Sequence, residues 1–166
     1  MSFHLSKESQ TALLATTALA STTAAALNLS LSLILTPRLL ELPTPLMLRA
    51  WQRAHARTEA PLPLSTLACG ASYALLAHRT GSRALAAAAA LCLSVLPWTR
   101  LLMRRRLDAE IARLADEANA ARATQEVSAA QEASAKWLVD QWGVYNLGRG
   151  VPVLVAGAIG VFSLVL

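Results

Sequence analysis

The chain has 166 residues, of which 55% are hydrophobic and 15% charged, and its net charge is +5. This composition excludes an ordinary soluble domain and predicts an all-α integral membrane protein, since each span needs about 20 apolar residues and the length allows four spans. The positive charge does not indicate a nucleic-acid partner, because the arginines flank apolar runs and no aromatic platform or binding motif accompanies them.

The first uncharged run covers residues 11–36 and predicts the first span. It is too long for the apolar region of a signal peptide. Three polar residues, Asn28, Ser30 and Ser32, lie near its far end. They could bond to neighbouring helices or line a pocket, and the sequence leaves both open. Pro37 is expected to end the helix.

A proline-rich connection follows the first span. Residues 46–58 within it contain no proline, and their apolar positions are spaced with Arg49, Arg53 and Arg57 on the opposite side. This pattern is typical of a short helix lying in the membrane interface with its arginines facing water.

Residues 60–77 and 84–99 are uncharged and predict the second and third spans, joined in a tight hairpin by the polar turn at 78–83. The composition then changes, and apolar residues at intervals of three and four predict an amphipathic helix over 100–136, outside the bilayer. The fourth span is expected at 143–166. We therefore predict a single membrane domain, a four-helix bundle with an amphipathic extramembrane helix between spans 3 and 4.

The distribution of Lys and Arg predicts the orientation. The N-terminal segment and the 78–83 turn hold three of these residues, whereas the two longer connections on the other side hold eleven. By the positive-inside rule the long connections are cytosolic, and an endomembrane such as the endoplasmic reticulum is the expected location.

The two cysteines, Cys69 and Cys92, lie in different apolar runs, with no C-x-x-C pair and no spacing typical of metal ligands. Neither a disulfide-exchange centre nor a metal site is predicted. Both cysteines are expected to act as small apolar packing residues.

Arg149 is the single cation in residues 141–166. An arginine at the centre of a span costs about 2.5–3.5 kcal/mol on insertion scales, and such residues usually face a protein interior or a wet cavity. Steps of three and four residues place Trp142, Asn146 or Tyr145, and Arg149 on one helix face. This face is the candidate site. The alternative is an interfacial arginine bound to a lipid phosphate or a neighbouring carbonyl.

Four positions at the start of the last span, Trp142, Asn146, Arg149 and Pro152, resemble the C-terminal signature of a family of small four-helix membrane proteins that includes the fungal anthrone oxygenases. Two weaker stretches agree in order. Residues 36–40, with later prolines and a tryptophan, are similar to that family's first connection. Residues 97–103 are similar to the Pro-aromatic-Thr element that ends its third span.

The chain departs from the family's pattern in two places. Arg104, Arg105 and Arg106 stand where members tend to carry a Thr-Asn pair, and His55 stands where a tyrosine is common. Either change leaves a different substrate open.

The resemblance implies that an aromatic polyketide anthrone is oxidised to a quinone by dioxygen, without a metal, flavin or other cofactor. Removal of a proton from the doubly benzylic carbon gives an electron-rich enolate that can pass an electron to dioxygen. The protein then needs a base, a group that stabilises negative oxygen and a dry pocket. The implied partners are the aromatic substrate, dioxygen and membrane lipids, and a homo-oligomer is possible.

Arg149 and Asn146 are the residues expected to stabilise the negative oxygen. His55 is the candidate base, because imidazole exchanges protons near neutral pH, with Glu41 and Asp140 as alternatives.

Trp51, Trp142 and Tyr145 would form flat walls for a fused-ring substrate, with Glu41 grouped beside them. Interfacial anchoring is the competing explanation for the tryptophans.

Two other functions remain open from the sequence. One is a related membrane enzyme with a pocket, such as a cyclase or an isomerase. The other is a non-catalytic scaffold whose 100–136 helix recruits a partner protein.

Overall fold

The structure, a computed structural model, describes residues 6–120 and 129–165. Within these ranges the chain is almost entirely helical and contains no strand. We number the helices α1 (Lys7–Leu40), α2 (Thr44–Thr58), α3 (Pro61–Thr80), α4 (Arg83–Ala120) and α5 (Ala129–Val165). Two of them contain π-helical segments, Leu31–Leu35 in α1 and Thr99–Asp108 in α4.

Four helical stretches have the length and composition of membrane spans: Lys7–Leu40, Thr44–Thr80, Arg83–Ala120 and Ala130–Val165. Large apolar side chains on their outer surface are exposed, among them Leu19, Ile34 and Phe162. So much outward apolar surface fits a lipid environment rather than water. The predicted all-α fold, a bundle of four helices long and apolar enough to span a membrane, is confirmed.

Local sequence accounts for the helix ends. The Ser6 side chain accepts a hydrogen bond from the Ser9 amide and caps α1, and Ser82 caps α4 in the same way through the Leu85 amide. Gly81, with φ of 68°, terminates α3 in the left-handed conformation that glycine adopts without strain. The tight hairpin between α3 and α4 follows.

The first helix continues beyond Pro37, where we expected it to end. Proline lacks an N–H, and in an α-helix its ring would collide with the carbonyl four residues earlier. The π-helical turn Leu31–Leu35 lies directly before it, and the Thr36 hydroxyl donates to the Leu31 carbonyl at 2.9 Å. The wider turn and this bond allow α1 to reach Leu40.

Helices α1, α3, α4 and α5 alternate in direction and enclose a first apolar core, which we call the membrane core. Its buried residues include Ala25, Tyr73, Cys92 and Val153, and both cysteines are buried and free.

Close packing in this core depends on glycines in α5. Along α5, three glycines spaced seven residues apart meet three α1 residues with the same spacing. A Cβ at Gly150 would lie 2.7 Å from Leu29 Cδ2, which leaves no room for a side chain. The pairs are Gly143 with Thr36, Gly150 with Leu29, and Gly157 with Thr22. A seven-residue repeat of small residues lets two helices stay in contact along their length.

A second apolar core, which we call the headpiece core, lies at the other end of these helices. It contains residues from the end of α1, from helix α2, from the last half of α4 and from the first half of α5. Its buried members include Met47, Trp51, Met103, Ile111 and Val139. The helix predicted as interfacial, α2, therefore places its apolar face on protein rather than only on lipid.

The predicted amphipathic helix over 100–136 is divided in the structure. Its first part is the end of α4, its last part is the start of α5, and residues 121–128 lie outside the described residues. Its apolar stripe, Leu107, Ile111 and Ala115, is buried in the headpiece core. On the opposite side, Arg113 hydrogen-bonds Glu110 and lowers the pKa of that carboxyl group.

We predict that Gly150→Leu lowers the stability of the bundle by about 1–3 kcal/mol, because the new side chain overlaps Leu29. Val151→Leu is the matched control, since Val151 is 49% exposed on the outer surface and should change stability by less than about 0.5 kcal/mol. Thermal unfolding of both variants in the same detergent measures the difference. Equal unfolding temperatures would show that α1 and α5 are not in close contact here.

Candidate functional site

An aromatic cluster forms where α2 meets α5. The His55 ring stacks on Trp51, with centroids 4.7 Å apart and planes 19° from parallel. Trp142 meets both rings by its edge, at 5.8 Å from Trp51 and 6.5 Å from His55. Both tryptophans are 1% exposed, so they are core residues and not interfacial anchors. Three residues chosen from the sequence thus come together.

Asp108, which the sequence analysis did not select, completes this cluster. Its Oδ1 accepts a hydrogen bond from the Trp142 indole at 3.0 Å, and its Oδ2 lies 3.6 Å from His55 Nε2. The Asp108 side chain is only 14% exposed. A partly buried carboxylate beside an imidazole is an arrangement found in catalytic sites. We call Trp51, His55, Asp108 and Trp142 the His55 cluster.

Asp108 ends the π-helical segment Thr99–Asp108 of α4. It also lies three and seven residues before Ile111 and Ala115, which are both fully buried. The α-helical spacing of three and four residues therefore places Asp108 on the inward face of α4. π-helical segments occur often at functional sites. Pro97, two residues before this segment, was the sequence feature that could have indicated it.

A polar layer lies further along α5 toward the membrane core. The Asn146 amide nitrogen donates to the Asn28 carbonyl at 2.8 Å and to Ser32 Oγ at 3.1 Å. Its amide oxygen accepts from Arg149 Nη1 at 3.3 Å. Of the three polar side chains near the end of the first span, Ser32 bonds to another helix, whereas Asn28 donates to the Ala24 carbonyl and Ser30 to the Leu27 carbonyl within α1.

Arg149 lies inside the bundle and is 6% exposed. Within the described part of the chain its Nε is buried and has no hydrogen-bond partner. An arginine with unused donors in a dry environment can stabilise negative charge that develops on a bound molecule.

Three other residues selected from the sequence lie outside the His55 cluster. Glu41 is exposed and pairs with Arg38 at 3.1 Å. Asp140 is exposed. Tyr145 is partly buried, and its ring centroid lies 6.3 Å from that of Trp98, whose indole donates to the Tyr145 carbonyl at 3.0 Å. Tyr145 therefore belongs to the α4–α5 contact.

A groove of about 220 Å³ lies at the opposite end of the bundle, far from the His55 cluster. It is lined by Lys7, Gln10, Thr11, Leu14, Leu76, Thr80 and Leu85. The groove residues that belong to α1 lie about 20 residues before the polar layer, which corresponds to roughly 30 Å of helix. We place the candidate site by its chemistry and not by this groove, because the groove contains none of the clustered polar and aromatic residues.

The fold and the site define a helical membrane protein in which a histidine–aspartate pair, two tryptophans and a buried arginine lie at one end of the bundle. A family model described as "Anthrone oxygenase" matches residues 47–159. The match spans more than half of the chain, and it includes the whole His55 cluster together with Asn146 and Arg149. The chain belongs to the anthrone oxygenase family, as its resemblance predicted. Neither the comparison with curated proteins nor that with solved structures gave a match.

We predict that Asn146→Ala destabilises the protein by about 1–3 kcal/mol, because the hydroxyl of Ser32, the Asn28 carbonyl and the Arg149 guanidinium all lose a buried partner. Asn119→Ala removes an exposed asparagine that bonds Gln52, and it should change stability by less than about 0.5 kcal/mol. Denaturation in detergent compares the two. A similar loss in both variants would contradict a structural role for the polar layer.

Proposed function

We propose that this protein oxidises an anthrone-type aromatic polyketide to a quinone with dioxygen, without a metal or organic cofactor, in secondary metabolism. Membership of the anthrone oxygenase family supports this function. The observation that carries it is the His55 cluster, in which an imidazole lies against two buried tryptophans at the same end of the bundle as a buried arginine.

The reaction balances without an added reductant. A base removes a proton from the methylene carbon between the two aromatic rings, and the enolate passes one electron to dioxygen. The resulting radical and superoxide combine to a peroxide at that carbon. Proton return to the outer peroxide oxygen, loss of the remaining C–H proton and cleavage of the O–O bond give the new carbonyl and one water molecule.

The proposal needs the two groups at a separation that matches the substrate. In an anthrone the carbonyl oxygen and the reacting carbon lie on opposite edges of the central ring, so the base and the oxyanion stabiliser must lie apart. Trp142 and Arg149 are seven residues apart on α5, about 10 Å, and His55 lies against Trp142. We assign His55 as the base and Arg149, held by Asn146, as the stabiliser of the enolate oxygen.

In this proposal Trp51 and Trp142 would give the surroundings of His55 a flat, apolar lining, whereas Tyr145 packs against Trp98. The apolar surroundings favour an uncharged aromatic substrate taken from the lipid phase, in which dioxygen also dissolves. If the bundle lies in an endomembrane with its long connections in the cytosol, the His55 cluster lies at the cytosolic end.

The scaffold alternative has less support. Of the apolar positions predicted for docking, Leu107 and Ile111 are buried in the headpiece core, Leu114 and Ala118 pack against it partly buried, and Ala121 lies outside the described residues. A related cyclase or isomerase would use the same base and cation, and the product distinguishes it from an oxygenase.

Incubation of the purified protein with a hydroxylated anthrone in air tests the proposal. Quinone absorbance and oxygen uptake should rise above those of protein-free detergent, which measures spontaneous oxidation, and a chelator should not reduce the rate. His55→Ala should lower turnover by about 10²–10⁴-fold, since the general base is lost. His78→Ala, at the exposed end of α3, is the control and should retain full activity. Full turnover in the His55 variant would remove the imidazole from the mechanism.

Arg149→Leu should lower turnover by about 10²–10³-fold while the protein still inserts into membranes, because only charge stabilisation is lost. Arg79→Leu removes an exposed arginine at the other end of the bundle and should leave the rate unchanged. The measurement is quinone formation per inserted protein. Unchanged product formation in the Arg149 variant would exclude that residue from catalysis.

A further inference from the structure

We propose that Asp108 is a positioning residue that fixes the tautomer of His55, so that Nδ1 is the nitrogen that receives the substrate's proton. This inference rests on the proposed function for its catalytic meaning. The arrangement of the four side chains in the His55 cluster carries it independently.

Asp108 joins three helices through one carboxylate. From α4 its Oδ1 accepts the indole N–H of Trp142 on α5, and its Oδ2 faces His55 Nε2 on α2 at 3.6 Å. That distance is slightly longer than a hydrogen bond, and contacts of this kind often tighten only when substrate binds. Because a carboxylate can only accept, Asp108 favours the tautomer that carries the hydrogen on Nε2.

The other ring nitrogen is then unprotonated and available. His55 Nδ1 points toward Glu59 on the next turn of α2 and lies 3.8 Å from Glu59 Oε2. The Glu59 side chain is 55% exposed, so water screens its charge and the side chain can move aside. Access to Nδ1 therefore lies along the C-terminal end of α2.

The proton transfer follows from this geometry. The substrate's C–H proton moves to Nδ1, the bonding pair stays on the substrate as the enolate, and His55 becomes an imidazolium. Asp108 faces the positive ring and stabilises it, while Arg149 offsets the negative charge on the enolate. The same proton later returns to the peroxide.

The indole of Trp142 makes the D108N variant informative. The indole N–H of Trp142 needs an acceptor, so we expect it to donate to the amide oxygen of the substituted side chain. The NH₂ group of that side chain then faces His55 Nε2. That nitrogen must then accept, and the hydrogen moves to Nδ1. The variant keeps the shape of the site and holds the imidazole in the tautomer that cannot act as base.

The test combines a spectroscopic and a kinetic measurement. With His4 and His78 replaced by glutamine, ¹⁵N spectra of the single imidazole report which nitrogen carries the hydrogen. We expect Nε2–H in the parent and Nδ1–H in D108N, with kcat reduced by about 10²–10⁴-fold and KM changed by less than about threefold. D108E restores a carboxylate and should restore the Nε2–H tautomer.

Asp116→Asn is the matched control. Asp116 also lies on α4 and accepts from α2, through Gln52 at 2.9 Å, but lies outside the His55 cluster. It should alter neither the tautomer nor kcat.

The positioning role would be overturned if the His55 tautomer were unchanged in D108N. It would also be overturned if D108N lost activity only in proportion to its loss of thermal stability. Should D108N fail to fold, an Nδ1–H tautomer in the folded D108E protein would overturn the role as well. A tautomer switch in D108N together with absent quinone formation by the parent would support the positioning role and overturn the proposed function.

Discussion

The structure depends on the need to solvate one charge inside an apolar bundle. Arg149 is 6% exposed in the bundle interior, so polar protein groups must take over the role of solvent, or its burial would cost several kcal/mol. Asn146 provides an acceptor, and Asn146 is itself held by Asn28 and Ser32 of α1. These bonds require the two helices to lie very close, and the glycine spacing of α5 makes that approach possible.

The same contact links the membrane core to the headpiece core. Because α1 and α5 stay together past the polar layer, the start of α5 is directed toward α2 and the end of α4, where Trp142 meets Trp51 and His55. Asp108 then joins the third helix to this group. The candidate site is thus built from one rigid pair of helices plus two elements that pack against its end.

Much of this could be predicted from the sequence. The apolar runs predicted the bundle, and the spacing of Trp142, Asn146 and Arg149 predicted their common face. The burial of Trp51 and the packing of the α4 stripe could not be predicted, because periodicity shows that a face is apolar but not what covers it. Asp108 was missed for a different reason: the neighbouring arginines gave its segment the sequence character of a solvated helix face, although its spacing to Ile111 and Ala115 places it on the buried side.

Helix α5 sets the spacing between Trp142 and Arg149 because it runs unbroken through both cores. Pro152 lies within it and leaves the Gly148 carbonyl without a helical donor, which would ordinarily favour a bend. Trp98 packs against Gly148 and donates to the Tyr145 carbonyl at 3.0 Å, so α4 supports α5 one turn before the proline. This support keeps α5 continuous between Trp142 and Arg149, whose seven-residue separation corresponds to about 10 Å along the helix axis.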